Sequence, residues 1–173
     1  MIASAQLPYF IKPSTALSVD EKRQAYAVAQ QAIVATLGNE QDPLVKMVTV
    51  NSLLKTYLPY YFWAGFYLVR NGRLIVGPYQ GTLGCLYIDF GRGVCGTAAQ
   101  TRKTQIVEDV HELTPGIEHI ACDPNSRSEI VVPVFNQKRE LIAVFDVDST
   151  LPASFDEVDQ AALENLLHVL FSS

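Results

Sequence analysis

The sequence predicts an α+β domain, a central antiparallel sheet of about six strands flanked by helices. Three observations carry this prediction. Two capped helical periods occupy residues 19–58, β-branched and aromatic runs broken by turn residues occupy 60–149, and a last capped helical period occupies 155–171. All 173 residues are assigned to this one domain, because a chain of that length buries about 70% of its unfolded surface around a single core.

The first helix opens at Ser18, whose hydroxyl can accept from the free backbone N–H groups, and Glu21 completes a capping box. Ala25, Val28, Ala29, Ala32, Ile33 and Leu37 follow helical spacing until Gly38 and Asn39 stop the run. Asp42 caps the second helix and Pro43 sits in its first turn, with Leu44, Met47, Val48, Asn51, Leu54 and Leu58 on the inward stripe. The β-branched stretch Val48, Thr49, Val50 opposes helix locally.

From Tyr60 the texture changes. YYFWAGFYLV and RLIVGPY read as strands, and Asn71-Gly72 between them is a two-residue hairpin turn. A short strand at 86–89, a short helix in VCGTAAQTRK behind a glycine turn, and a strand in TQIVED follow. Residues 109–128 make a long loop with little periodicity, a length that in a compact domain points to function. SEIVVPVFN and ELIAVFDVDS pair as a second hairpin around NQKRE. Ser154 or Asp156 then caps the last helix, with Val158, Ala161, Ala162, Leu166, Val169 and Leu170 turned to the sheet.

Eighteen acidic against thirteen basic residues leave a net charge of −5, which disfavours nucleic acid and anionic membrane as partners. The N-terminus lacks the pattern of a secretory signal and no window is apolar enough to span a bilayer, so a cytoplasmic protein is expected. Three cysteines, at 85, 95 and 122, leave at least one unpaired. None forms the close C-x-x-C pair that chelates zinc, so no metal and no cofactor is expected.

Each cysteine taken alone reads as a small buried hydrophobe. Together they avoid strand interiors and sit beside glycine or in loops, which core filling explains poorly. Gly91, Gly93 and Gly96 let the backbone bend around Cys95, so that thiol is expected in a mobile redox loop. Cys122 has the surroundings best suited to activation, with His119 three residues before it, Arg127 five after it, and Asp123 acting in the opposite sense. Asp146 and Asp148, two apart on a strand, share a face and repel unless something positive or a proton intervenes, and Glu129 on the neighbouring segment is a third acid. Trp63 and Tyr67 flank Gly65 on one strand parity, a pattern that makes either core or a shallow aromatic slot.

WAGFY at 63–67, GPYQGTLGC at 77–85, GRGVCG at 91–96, HIACD at 119–123, SEIVVPV at 128–134 and VFDVDS at 144–149 resemble, in order, the free methionine-R-sulfoxide reductases. The resemblance runs over residues 60–167 and includes all three cysteines. It implies a GAF-like domain with a ligand cavity on one sheet face, acting on free methionine-R-sulfoxide. By the same resemblance Cys122 corresponds to the nucleophile, Cys85 to the thiol that resolves it as a disulfide, and Cys95 to a third thiol, for relay or recycling. Trp63, Tyr67, Glu129, Asp146 and Asp148 fall on substrate-contacting positions. Two features depart from the family pattern: Ile117 and Glu118 are additional in PGIEHIACD, and Gly84 stands where alanine is usual.

The implied chemistry suits these residues. A sulfoxide sulfur becomes electrophilic when its oxygen is protonated, and a desolvated carboxylic acid is a fitting donor: Asp146 or Asp148, with Glu129 in competition. A cysteine sulfenic acid and then a disulfide would follow, with thioredoxin as the expected reductant. The acids would also hold the α-ammonium that distinguishes free methionine sulfoxide from the oxidised residue in a protein. The rival readings are a GAF domain that senses a small ligand without catalysis, and thioether attachment of a linear tetrapyrrole. Against the first, the chain ends at VLFSS without an output domain. The number of subunits is left open, a homodimer included.

Overall fold

The computed structural model describes residues 12–112 and 122–173. In chain order the elements are α1 (Val19–Leu37), α2 (Pro43–Tyr57), β1 (Trp63–Arg70), β2 (Arg73–Gln80), β3 (Tyr87–Asp89), α3 (Gly93–Thr101), β4 (Gln105–Val107), β5 (Ser128–Phe135), β6 (Leu141–Ser149) and α4 (Glu157–Phe171). The strands form one six-stranded sheet in the order β3-β2-β1-β6-β5-β4, antiparallel throughout.

Local sequence signals act where they are expected. Ser18 caps α1 with a full capping box to Glu21, and the Asp42 carboxylate accepts from the N–H groups of Leu44 and Val45. Asp156, not Ser154, caps α4 and forms a second box with Asp159. Asn71 and Gly72 both take positive φ, 51° and 77°, so the β1–β2 hairpin turns with the hand its strands require. The Val48–Val50 run stays helical because Val50 packs into the core at 0% exposure.

The inward faces of the helices differ from the apolar stripes. Val28, Leu44, Val48 and Val169 are each about half exposed, whereas Lys22, Tyr26, Asn51 and Asp159 are buried. In α1 and α4 the cause is a polar network between the two helices that hydrophobic periodicity does not register, and in α2 Asn51 turns inward to donate to the Pro78 carbonyl at 2.7 Å. Lys22 Nζ donates to Asp159 Oδ2 at 2.6 Å, to Asp156 Oδ2 at 2.8 Å and to the Ser154 carbonyl at 2.7 Å. Tyr26 and Tyr60 each donate a phenolic hydrogen bond to Asp159 Oδ1, at 2.8 and 2.6 Å. The buried charges of Lys22 and Asp159 are thereby paired, and the phases of α1 and α4 follow the network.

The sheet divides the core in two. Ala64, Phe66, Ile130, Val132, Phe145 and Val147 face α1, α2 and α4. The alternate residues Trp63, Tyr67, Val131 and Val144 face the other way, toward α3 with Val94, Cys95 and Ala98. Strand alternation thus commits one face to packing and leaves the other for a cavity.

Candidate active site

The register of three strands assembles the predicted acids and rings. Across β1 and β6, Trp63 lies opposite Asp148, Gly65 opposite Asp146 and Tyr67 opposite Val144. Across β5 and β6, Glu129 lies opposite Asp148 and Val131 opposite Asp146. Directly opposed residues share a face, so Trp63, Tyr67, Glu129, Asp146 and Asp148 all project to the α3 side. Glu129 and Asp146 are 6% exposed, and Asp148 is partly accessible.

The aromatic pair is buried and walls one side of the cavity. The Trp63 ring folds over Gly65, where an added Cβ would lie 2.8 Å from its Cζ3. The indole stacks with Tyr67 at 5.8 Å and 21° and with Tyr79 at 5.1 Å and 18°. Its Nε1–H donates to the Thr82 carbonyl at 3.0 Å, which ties the wall to the loop carrying Cys85. Gly84 lies against that wall: a Cβ there would sit 3.0 Å from Trp63 Cζ2 and 3.1 Å from the Tyr67 hydroxyl, so an alanine would require the rings to shift by a few tenths of an ångström.

Cys85 and Cys122 are joined in a disulfide with a Cα–Cα separation of 5.3 Å, in the loop before β3 and the turn before β5. Cys122 is exposed and borders the cavity. Cys95 is placed otherwise than expected: it lies in the first turn of α3, 5% exposed, and not in a mobile loop. The glycines serve that helix start. Gly91 and Gly93 take φ of 80° and 60°, and the Gly91 N–H donates to the Gly96 carbonyl at 2.8 Å. The Cys95 thiol points at Glu129 Oε1, 3.9 Å away.

Arg127 does not serve Cys122. Its Nη2 donates to Asp109 Oδ2 at 2.5 Å, an ion pair that pins the two ends of the long loop. Asp123 is occupied as well, accepting from the Thr82 hydroxyl and from the Asn125 backbone N–H at 2.8 Å. His119, Ile117 and Glu118 lie outside the described residues. Pattern reading passed over Ser126 and Arg92, which border the cavity; the only signal for Arg92 was its place between two glycines.

Comparison with known proteins gives this geometry its family. A model of the GAF domain matches residues 53–170. The free methionine-R-sulfoxide reductase of Escherichia coli is 39% identical over 146 residues, covering 84% of this chain and 86% of that protein. The crystal structure of free methionine-R-sulfoxide reductase from Neisseria meningitidis in complex with its substrate superposes with a TM-score of 0.80 at 38% identity, covering 92% of this chain and 93% of that one. The chain belongs to the free methionine-R-sulfoxide reductase family. The fRMsr of Staphylococcus aureus in its reduced form is also similar, with a TM-score of 0.78 at 35% identity over 95% of this chain and 97% of that one. Members of this family are oxidoreductases, and their fold is the GAF domain found here.

Electrostatics in this reductase site are set by burial. Desolvation pushes Asp146 up to about 7, while hydrogen bonds from Cys95 and Glu129 pull it back. Glu129 is pushed well above the usual carboxyl range by burial and then by Asp146 and Asp148. Asp148 moves upward through burial and Asp146, partly opposed by a hydrogen bond from Ser126. Asp146 is therefore the acid whose ionised form the site favours, with Glu129 as a protonated neighbour. Burial, then Asp146 and Glu129, raise the Cys95 thiol, which keeps it protonated and makes it a poor nucleophile at neutral pH.

Among the described residues, Cys95, Glu129 and Asp146 also offer metal-ligand atoms that all lie within 4.8 Å of one another. No helix among those residues is long and apolar enough to cross a membrane.

Proposed function

We propose that this chain reduces free L-methionine (R)-S-oxide to L-methionine with Cys122 as nucleophile and Cys85 as resolving thiol. The observation that carries the reading is the Cys85–Cys122 disulfide at the mouth of a cavity walled by Trp63 and Tyr67 and floored by three acids. In the reduced protein the Cys122 thiolate attacks the sulfoxide sulfur as Glu129 delivers a proton to the oxygen. The hydroxyl passes from the methionine sulfur to Cys122 Sγ as the bond between the two sulfurs breaks, so methionine leaves and Cys122 is left as a sulfenic acid. The Cys85 thiol condenses with it, forming the S–S bond and releasing water, and an external dithiol of the thioredoxin type restores both thiols by exchange.

Electrostatics divide the acids. Glu129 is the proton donor because burial and its neighbours hold its proton; Asp146, the first to ionise, receives the substrate ammonium. A methionine sulfoxide residue inside a protein has no such ammonium and would leave a buried carboxylate unpaired, which is the basis of selection for the free amino acid. The backbone N–H groups at the start of α3, with Arg92 at its N-cap, suit the substrate carboxylate. Cys95 is the family's third thiol by position, and burial beside the acids keeps it protonated. The recycling step places the enzyme in a reducing compartment, the cytoplasm.

The test is NADPH oxidation coupled through thioredoxin and thioredoxin reductase, with free methionine-R-sulfoxide, the free S epimer and the N-acetylated R form as substrates. Turnover of the free R form alone is expected. Absence of turnover with all three, with the thiols shown to be reduced, would leave a GAF domain that only binds a ligand.

A further inference from the structure

We propose that Cys95, Glu129 and Asp146 form a binding site for one borderline or soft divalent cation, zinc or cadmium, in the floor of the cavity. The proposal goes beyond the reductase reading and its test needs no turnover, so either can fail alone. The three side chains come from α3, β5 and β6, and each is at least 94% buried. Their ligand atoms lie within 4.8 Å of one another, and Cys95 Sγ is 3.9 Å from Glu129 Oε1. With metal–sulfur near 2.3 Å and metal–oxygen near 2.1 Å, a tetrahedral centre separates its sulfur and oxygen ligands by about 3.6 Å, so the Cys95–Glu129 pair closes by about 0.3 Å and the other pairs by no more than about 1.4 Å to complete the set.

A second observation points to a cation ligand. Asp146 Oδ1 is buried, and it has no hydrogen-bond partner among the described residues. A buried carboxylate oxygen without a partner is costly, and a metal bond is one of the few contacts that would satisfy it. The cavity beside the cluster, about 40 Å³, admits two or three waters at about 10–15 Å³ each, which supplies the fourth ligand. A thiolate with two carboxylates selects zinc-like ions over magnesium or calcium, which prefer all-oxygen shells. As each metal bond forms, the protonated ligand releases its proton to solvent, and no oxidation state changes. The close cysteine pairs sought in the sequence do not bear on this site, whose ligands are brought together only by the sheet and α3.

The chain has three cysteines, and with Cys85 and Cys122 joined Cys95 is its one remaining thiol. Cadmium is therefore titrated into the oxidised protein while the ultraviolet sulfur-to-cadmium charge-transfer band is followed. The expected result is a saturable band at one cadmium per chain that is absent in Cys95→Ser. Asp146→Asn and Glu129→Gln should each raise the Kd about tenfold or more, since even partners outside the metal shell are worth that much. No saturable band in the unmodified sequence would overturn the site. So would an unchanged Kd in the carboxylate variants, which would mean binding to a lone thiol. Either carboxylate variant that retains its fold by circular dichroism is enough to decide.

Discussion

Replacing Asp146 by Asn should stabilise the fold in a pH-dependent manner while damaging catalysis. The carboxyl of Asp146 is buried in a cluster with Glu129 and Cys95 and titrates at about 7 in place of the ordinary 3.8. Because its folded pKa is raised, the native state holds a proton that the unfolded chain has already released, and stability is lost as pH rises from about 4 through about 7. The whole gap corresponds to about 4 kcal/mol, and the portion between about pH 5.5 and about pH 7 to about 2 kcal/mol. Asparagine has nearly the same shape and does not titrate. Its lost hydrogen bonds from Cys95 and Glu129 cost about the same at every pH. The informative quantity is therefore the stability difference between variant and parent at about pH 8 minus that at about pH 5.5, expected to favour Asn by about 2 kcal/mol. For a domain of this size that is a relative gain of about 4–8 °C in Tm. Urea and thermal melts of the reduced proteins at both pH values measure it. A difference independent of pH, or one that favours Asp at the higher pH, would refute the buried, proton-holding cluster.

Cys122→Ser should release no methionine, whereas Cys85→Ser should release a single burst of about one methionine per chain. Rapid quench with equal burst amplitudes in both variants would overturn the roles of the two cysteines. Asp146→Asn should act mainly on KM through the ammonium, and Glu129→Gln mainly on kcat, by about 10²–10⁴-fold, through the proton; identical kinetic defects would argue against that division. Asp159→Ala, far from the cavity, should cost about 3–5 kcal/mol by leaving Lys22 buried without its main partner, and a loss under 1 kcal/mol in urea melts would show that the network is not the anchor between α1 and α4.

What the sequence determined by itself was whatever neighbouring residues enforce. Ser18 with Glu21, Asp42 with Pro43, and Asn71-Gly72 set helix starts and a hairpin through contacts within three or four residues, so they are legible without a fold. Strand alternation placed Asp146 and Asp148 on one face for the same reason, and the six collinear motifs pointed to the family that the comparisons show. The tertiary structure decided the rest. It set Glu129 opposite Asp148 across β5 and β6, seated Cys95 in the first turn of α3 above the acids, and gave Arg127 to Asp109, while the Cys85–Cys122 pairing across 37 positions is the one the family resemblance implied. It also turned Lys22 and Asp159 inward and Val28 and Leu44 outward. These outcomes depend on register and on desolvation. Both are set by partners distant in the chain, and a local pattern contains neither.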